Sequence, residues 1–172
     1  MCMNKVETAR RLQELGFVVP NWRSVRSLED LDSFVDLPAV LKPSVGGGGS
    51  SHLYLVQTPE EMNACALRLL AIYEEFIVQA YVGTPDAEYT VGVLVDLDGQ
   101  LLNSIAVRRN ILTALSNHTR VPNRSGRSDL GPVLAISSGV SQGEIGRFPE
   151  VSEPCERIAV ALGARGPVNI QC

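Results

Sequence analysis

The sequence has 172 residues, of which 45% are apolar and 20% charged, and its net charge is -4. This length and apolar content suffice for a buried core in one domain or two small lobes, and they exclude a wholly disordered chain. No apolar run approaches the roughly 18 residues that cross a bilayer, and no signal-peptide pattern is present, so we expect no membrane contact and a cytoplasmic location.

Capping patterns mark the helices in the first half of the chain. Asn4 followed by Glu7 is a capping box, and Thr58 before Pro59 is a typical helix start. In chain order we predict helices over 5–15 and 27–35, strands over 39–42 and 52–56, a helix over 59–73 and a strand over 76–82.

In the second half of the chain, turn residues mark the boundaries between predicted strands. The segment 96–99, Asp-Leu-Asp-Gly, is typical of an antiparallel hairpin turn. We predict strands over 88–95 and 100–107, a helix from Ser152 to Gly163 and a strand over 167–172. From Arg108 to about Pro149 the periodicity disappears, so we expect a functional or partly mobile loop. Helices set against antiparallel strands predict an α+β fold and not a doubly wound parallel sheet.

The four cysteines are far apart in the sequence and form no CxxC or Cys/His spacing: Cys2, Cys65, Cys155 and Cys172. This spacing argues against a disulfide framework and against a zinc site. We therefore interpret them as reduced thiols.

A glycine-rich segment follows the strand that ends at Lys42. Residues 46–51 are four glycines and two serines, and extended segments are predicted on both sides. Glycines let backbone amides approach phosphate oxygens, and a preceding lysine adds a point charge. A Walker loop has its lysine after the glycines, and a Rossmann fingerprint opens a helix, so neither is present. A flexible hairpin loop is the alternative.

Lysine is rare in this sequence. Of the fifteen cationic side chains, thirteen are arginine and only Lys5 and Lys42 are lysine. Lys5 lies in the first turn of a predicted helix, where the helix dipole disfavours a cation unless an anion is nearby. A solvated lysine would also explain this position, but both lysines are placed where a phosphate could be bound.

Several ordered motifs resemble the ATP-grasp superfamily over almost the whole chain. The segments that carry this resemblance are Asn4–Thr8 with Gly16–Pro20, Pro38–Pro43 with Gly46–Ser51, Phe76–Val82, Glu88–Val91 and Gly163–Gln171. The last of them, with its Gly-Pro-Val-Asn-Ile-Gln run, is similar to carbamoyl phosphate synthetase large chains. The resemblance implies an ATP-grasp fold, with an N-terminal lobe over 1–82 and a partial C-terminal lobe over 83–172.

The resemblance also implies roles for individual residues. Backbone groups of Ala80 and Val82 would contact the adenine edge, and Glu88 would contact the ribose. Gln171 would bind the first Mg²⁺. The residues that would contact the ATP phosphates are Lys5, Lys42, Gly46, Gly47, Gly48, Gly49, Ser50 and Ser51. Gln79 stands where many members have glutamate. From the residues alone, Glu88 could be a solvated side chain, and Asn169 and Gln171 could be alternating polar positions of a strand.

The arginines that follow the second hairpin strand allow two interpretations. Arg108 and Arg109 are our candidates for binding an acidic substrate or an acyl phosphate, because guanidinium matches both groups. Arg120, Arg124 and Arg127 are equally consistent with a solvated basic loop. Nucleic-acid binding is disfavoured by the acidic pI of 5.2 and by the lack of interleaved aromatic residues.

The family's metal-binding hairpin, with its "E-x-N-x-R" strand, would follow Gln171, and Cys172 ends the sequence before it. The resemblance therefore implies the ATP-binding domain of a carboxylate-amine ligase of the carbamoyl phosphate synthetase type. Such an enzyme acts through an acyl phosphate on a small carboxylate, with an amine or ammonia as acceptor. The alternative is a non-catalytic or split nucleotide-binding module that needs a complementary polypeptide or an oligomer.

Overall fold

The computed structural model describes residues 4–46, 52–112 and 117–172. The chain divides into two compact units, the first made of Met1–Gly83 and Val121–Leu134, the second of Thr84–Arg120 and Ala135–Cys172. Helices accompany antiparallel sheets in both units, which confirms the predicted α+β class. Within the described residues, no helix is both long enough and apolar enough to cross a membrane.

The two helices of the first unit begin where their capping residues predict. Helix α1 spans Lys5–Glu14, and the Asn4 side chain accepts a hydrogen bond from the backbone N–H of Glu7 at 3.0 Å. Helix α2 spans Pro59–Leu70 and is capped in the same way by Thr58. Each cap satisfies one backbone donor that the first helical turn leaves unpaired.

The sheet of the first unit has the order β1-β4-β2-β3, and its strands are β1 (Trp22–Val25), β2 (Ala39–Pro43), β3 (Tyr54–Val56) and β4 (Phe76–Ala80). All neighbouring strands are antiparallel. Helix α2 packs on β2 and β3. The core between them contains the fully buried side chains of Leu41, Val56, Leu69, Phe76 and Val78.

One expectation for this unit is wrong, and one strand was not expected. The helix expected over 27–35 is a single 3-10 turn, Leu28–Leu31, because the Asp30 carboxylate accepts the backbone N–H groups of Arg26 and Ser27 and closes a tight turn. Strand β1 was not expected. Its four residues are too few to show periodicity, and it is stabilised by pairing with β4, about fifty residues away.

The second unit contains a four-stranded antiparallel sheet and one helix. The remaining six strands form this sheet and a separate two-stranded sheet. In chain order they are β5 (Tyr89–Val95), β6 (Leu101–Arg109), β7 (Asn117–Pro122), β8 (Val133–Ser137), β9 (Gly143–Gly146) and β10 (Gly166–Gln171). The larger sheet has the order β10-β5-β6-β9, and β7 pairs with β8. Among the described residues, β10 is therefore paired on one side only.

The two faces of the larger sheet carry different residues. Helix α3 (Pro149–Ala161) packs on β5 and β6 and covers the face that bears Val91 and Ala106. Thr90 lies directly across from Gln171 on one side and from Val107 on the other, and neighbours in register share a face. Strand alternation therefore puts Thr90 and Gln171 on the face opposite α3.

The segment 108–149, expected to lack regular structure, contains β7, β8 and β9, so this expectation is wrong. Strands β7 and β9 consist mostly of polar residues and glycine and give little strand signal, whereas β8, Val-Leu-Ala-Ile-Ser, is an apolar run typical of a strand. Pairing with β8 stabilises β7, and pairing with β6 stabilises β9. Helix α3 also begins earlier than expected, at Pro149, because proline is favourable in a first helical turn.

Gly143, the first residue of β9, permits close approach to β6. A Cβ at this position would lie 1.9 Å from the backbone oxygen of Arg108. Backbone cannot rotate away as a side chain can, so we expect Gly143→Ala to lower the free energy of unfolding by about 1–3 kcal/mol, as overpacking does. The matched control is Gly92→Ala, whose Cβ would meet Ile105 at 3.7 Å, an ordinary contact. Hydrogen exchange of the β9 amides tests this, and unchanged protection would contradict it.

Candidate functional site

Lys5 connects the start of α1 to the segment after β2. Its backbone N–H donates to the Ser44 carbonyl at 2.7 Å, and its Nζ donates to the Gly46 carbonyl at 2.8 Å. Asn4 and Val45 form an isolated antiparallel bridge at the same point. Burial lowers the pKa of Lys5. The sequence places these residues about forty positions apart, and the fold brings the predicted phosphate lysine to the beginning of the glycine segment.

Lys42 lies near the end of β2 and reaches towards β4. Its Nζ donates a hydrogen bond to Oε1 of Gln79 at 2.8 Å. Val40 is the register partner of Gln79, so Lys42 lies two residues further along the same face of the sheet. Burial, and in second place repulsion from the Lys5 ammonium, lowers the pKa of Lys42 to about 8.

The ammonium groups of Lys5 and Lys42 have no acidic partner in the part of the chain that the structure describes. Among the described residues, every salt bridge involves an arginine, and neither Lys5 nor Lys42 has a carboxylate partner. Gln79, the hydrogen-bond partner of Lys42, carries no charge. Two neighbouring cations, one of them desolvated, are unfavourable unless an anion joins them. The arrangement can bind a phosphate or a carboxylate.

Gly46 is the last described residue before the glycine segment and has a φ of +78°, a conformation that suits glycine. Its carbonyl is the acceptor for Lys5. Gly47 to Ser51 lie outside the described residues. The phosphate contacts that we expect from this segment stay a prediction.

The end of β4 is the segment expected to hold an adenine edge. The N–H of Ala80 already donates to the Asn21 carbonyl at 2.8 Å, and the N–H of Tyr81 donates to the Pro38 carbonyl at 2.9 Å. Ala80 can therefore offer a ligand its carbonyl oxygen but not its N–H. Val82, beyond the end of the strand, has a side chain that is 60% exposed.

Glu88 is held by a buried arginine. The Arg109 side chain is 0% exposed, and its Nη1 donates to Oε1 of Glu88 at 2.6 Å. Its Nη2 donates to the carbonyls of Ser138 at 2.9 Å and Val140 at 2.7 Å. Nε of Arg109 is buried and has no hydrogen-bond partner among the described residues. The Glu88 side chain stays 24% exposed, so the arginine fixes a carboxylate that solvent can still reach.

Arg108 and Arg109 lie on opposite faces of the sheet. Arg109 shares the face of Glu88, whereas Arg108 lies over the Phe148 ring at 5.8 Å, beside α3, and pairs with Glu144 at 2.5 Å. Neither ion pair was expected from the sequence. The alternation of side chains along a strand shows that two adjacent arginines must diverge, but it does not show which of them faces the site. Their predicted substrate roles stay predictions.

Two other loop arginines also have acidic partners. Arg124 pairs with Glu61 at 2.8 Å and Arg127 pairs with Asp129 at 2.6 Å, all with exposed or half-exposed side chains. Arg120 donates to the carbonyl of Leu112. These contacts agree with the alternative of a solvated basic loop, in which surface ion pairs contribute little to stability.

Gln171 is near the end of β10, on the same face as Thr90. Magnesium prefers six oxygen ligands and usually at least one carboxylate. The described residues contain no group of three His, Cys, Asp or Glu side chains that could hold a metal ion. Gln171 offers one neutral oxygen, and the Glu88 carboxylate is engaged by Arg109. The described residues alone do not fit magnesium, and the ligand role predicted for Gln171 stays a prediction.

Comparisons with known proteins identify the fold. No family model matches the sequence, and no curated protein matches it. Solved structures do match: the D-alanine–D-alanine ligase of Bacillus anthracis complexed with ATP is 18% identical with a TM-score of 0.60, over 99% of this chain and 51% of that chain. VanG D-Ala:D-Ser ligase of Enterococcus faecalis is 16% identical with a TM-score of 0.66, over 99% and 48%.

A third match is the ADP complex of PurK, N5-carboxyaminoimidazole ribonucleotide synthetase. It is 17% identical with a TM-score of 0.63, over 98% of this chain and 40% of that chain. This chain therefore spans about half the length of the solved structures it matches, or less. At such identities the likeness establishes a common fold.

Proposed function

We propose that this chain, which has the fold of the ATP-grasp ligases, is the ATP-binding part of an ATP-dependent carboxylate-amine ligase. The observation that carries the proposal is the pair of ammonium groups, Lys5 and Lys42, without a carboxylate partner among the described residues, beside Gly46. Solved structures of this fold hold ATP or ADP, which supports a nucleotide as the anion that these groups bind.

In the proposed reaction, a carboxylate oxygen takes the γ-phosphoryl group of ATP, which gives an acyl phosphate and ADP. An amine or ammonia then attacks the acyl carbon, phosphate leaves with the bonding electrons, and the nitrogen loses a proton. Most of the catalytic effect in such chemistry comes from positioning and charge stabilisation. The part assigned to Lys5 and Lys42 is to neutralise phosphate charge. We assign to Glu88 a contact with the ribose hydroxyls.

A nucleotide-binding module without turnover is the second candidate. The absence of a carboxylate cluster for a metal among the described residues favours it. Turnover separates the two candidates, because ADP release that requires both a carboxylate and an amine would support the ligase. Binding without turnover would support the module. A cytoplasmic location and the resemblance to carbamoyl phosphate synthetase stay predictions.

Both candidate functions require that the chain binds ATP. Calorimetric titration with a non-hydrolysable ATP analogue, with and without Mg²⁺, tests this binding. Inorganic triphosphate is the matched control, since it separates an anion site from a nucleotide site. We expect saturable binding of the analogue, and weaker binding of triphosphate because it lacks the base and the ribose. A folded chain that binds neither would contradict both candidates.

The low pKa of Lys42 gives the proposed binding a pH dependence. A bound phosphate favours the ammonium form, so it raises the pKa of Lys42 above the value of about 8 in the free protein. Above that pH the free protein must take up a proton to bind, and by linkage the affinity should fall by up to about tenfold per pH unit between pH 8 and 10.

Titrations at a series of pH values check this expectation. Gln79→Glu is the informative variant, because a carboxylate next to Lys42 raises the pKa of the ammonium in the free protein. The fall in affinity should then begin at higher pH, although the added negative charge weakens binding overall. An affinity that is constant from pH 7.5 to pH 10 would contradict the role of Lys42.

A further inference from the structure

Two of the four cysteines, far apart in the sequence, meet in the second unit. Cys155 lies in α3 and Cys172 follows β10, and their Sγ atoms are 3.8 Å apart. That is van der Waals contact, about 1.8 Å longer than the sulfur–sulfur bond of a disulfide. Both thiols are free in this structure. The spacing of the cysteines in the sequence gave no sign of this contact.

The two thiols differ in exposure, and both are held in place. Cys155 is 2% exposed and belongs to the core cluster with Val91 and Ala159. Cys172 is exposed, and its backbone N–H and carbonyl pair with Tyr89 at 3.0 Å and 2.7 Å. Of the two residues, Cys172 is the more accessible to an oxidant in solution, and the Sγ of Cys155 lies 3.8 Å from its Sγ.

We propose that Cys155 and Cys172 form an oxidation site that hydrogen peroxide converts into an intramolecular disulfide. The Cys172 sulfur attacks the peroxide oxygen and is oxidised to a sulfenic acid, while the O–O bond breaks and the second oxygen leaves as water. The Cys155 sulfur then attacks the sulfenic sulfur, the S–O bond breaks, and a second water leaves with the thiol proton. One peroxide is reduced to two waters for each disulfide formed.

The site is selective because of geometry. Cys65 is half-buried in the first unit, within the cluster around α2, and has no described thiol beside it. Cys2 lies outside the described residues. The disulfide would join the middle of α3, which packs on β5, to the residue that follows β10, which pairs with β5.

Peptide mapping tests the proposal with the full chain. Trypsin cuts after Arg147, Arg157 and Arg165, so the two cysteines fall in the separate peptides 148–157 and 166–172. After treatment with an equimolar amount of hydrogen peroxide and alkylation, we expect these peptides to be recovered linked, with two of the four thiols lost. Dithiothreitol should restore both thiols.

Two serine variants complete the test. Cys172→Ser, at an exposed position, should abolish the link and leave Cys155 as an unreacted thiol. Cys65→Ser is the matched control and should form the link as the parent chain does. Recovery of Cys172 as a sulfinic acid without the link would overturn the proposal. So would a link that joins Cys172 to Cys65, to Cys2 or to a second copy of the chain.

Discussion

Arg109→Met is expected to lower the free energy of unfolding by about 3–5 kcal/mol, the range for breaking a buried ion pair by removing one partner. The fully buried guanidinium satisfies the Glu88 carboxylate and the carbonyls of Ser138 and Val140. Methionine fills similar space but donates no hydrogen bond, so all three acceptors lose a donor. Urea denaturation followed by circular dichroism measures the loss.

The neighbouring residue provides a matched control. Arg108 pairs with Glu144 through side chains that are 47% and 63% exposed. Arg108→Met removes the same charge from the next position of the same strand, and we expect a loss of at most about 1 kcal/mol. The double variant Arg109→Met with Glu88→Gln should lose less than the sum of the two single variants, because the pair is removed together. Equal losses for Arg108→Met and Arg109→Met would contradict the burial argument.

Lys42→Met is expected to weaken binding of the ATP analogue by about 10- to 150-fold, equivalent to about 1.5–3 kcal/mol for a hydrogen bond to a charged group. The fold should survive the change. Among the described residues, Lys42 has only the neutral Gln79 as partner. Its burial already disfavours the charge, so an apolar side chain of similar length removes a desolvation cost. Calorimetry measures the affinity, and urea denaturation measures the stability.

The combination of lost binding with kept stability identifies a ligand contact. Arg26→Met controls for the change in net charge, since Arg26 is in the same unit but 75% exposed and paired with Glu75. Its affinity for the analogue should equal that of the parent chain. An unchanged affinity in Lys42→Met would refute the assignment of Lys42 to phosphate, and a lost fold would show that Lys42 is structural.

Local signals in the sequence predicted the parts of the fold that depend on neighbouring residues. The Asn4 cap and the Thr58–Pro59 start marked α1 and α2, and the Asp96–Gly99 turn marked the β5–β6 hairpin. Strands β1, β7 and β9 escaped detection because they are short or polar and are stabilised by pairing with other strands, whereas β8, Val-Leu-Ala-Ile-Ser, does carry a strand signal. Intrinsic strand preference is weak in such segments, and pairing decides the outcome.

The candidate site shows why register cannot be read from the turn alone. The register shifts by one residue between Leu94 and Val95. Without this irregularity, the pairing of Val95 with Leu101 would continue so that Arg108 lay across from Glu88. A shift of one residue exchanges the faces of a strand, and so Arg109 takes that position. Which of the two arginines lies across from Glu88 thus depends on this register shift, and no residue type in the sequence predicts it.

Strand β10 has a consequence for the behaviour of the protein in solution. It lies at the end of the sheet, and its outer backbone groups have no strand partner among the described residues. Pro167 removes one donor near its start, but residues 168–171 carry no charge that would repel another chain. At high concentration this edge favours strand addition between copies. Light scattering should therefore show reversible, concentration-dependent self-association, which Asn169→Lys would suppress.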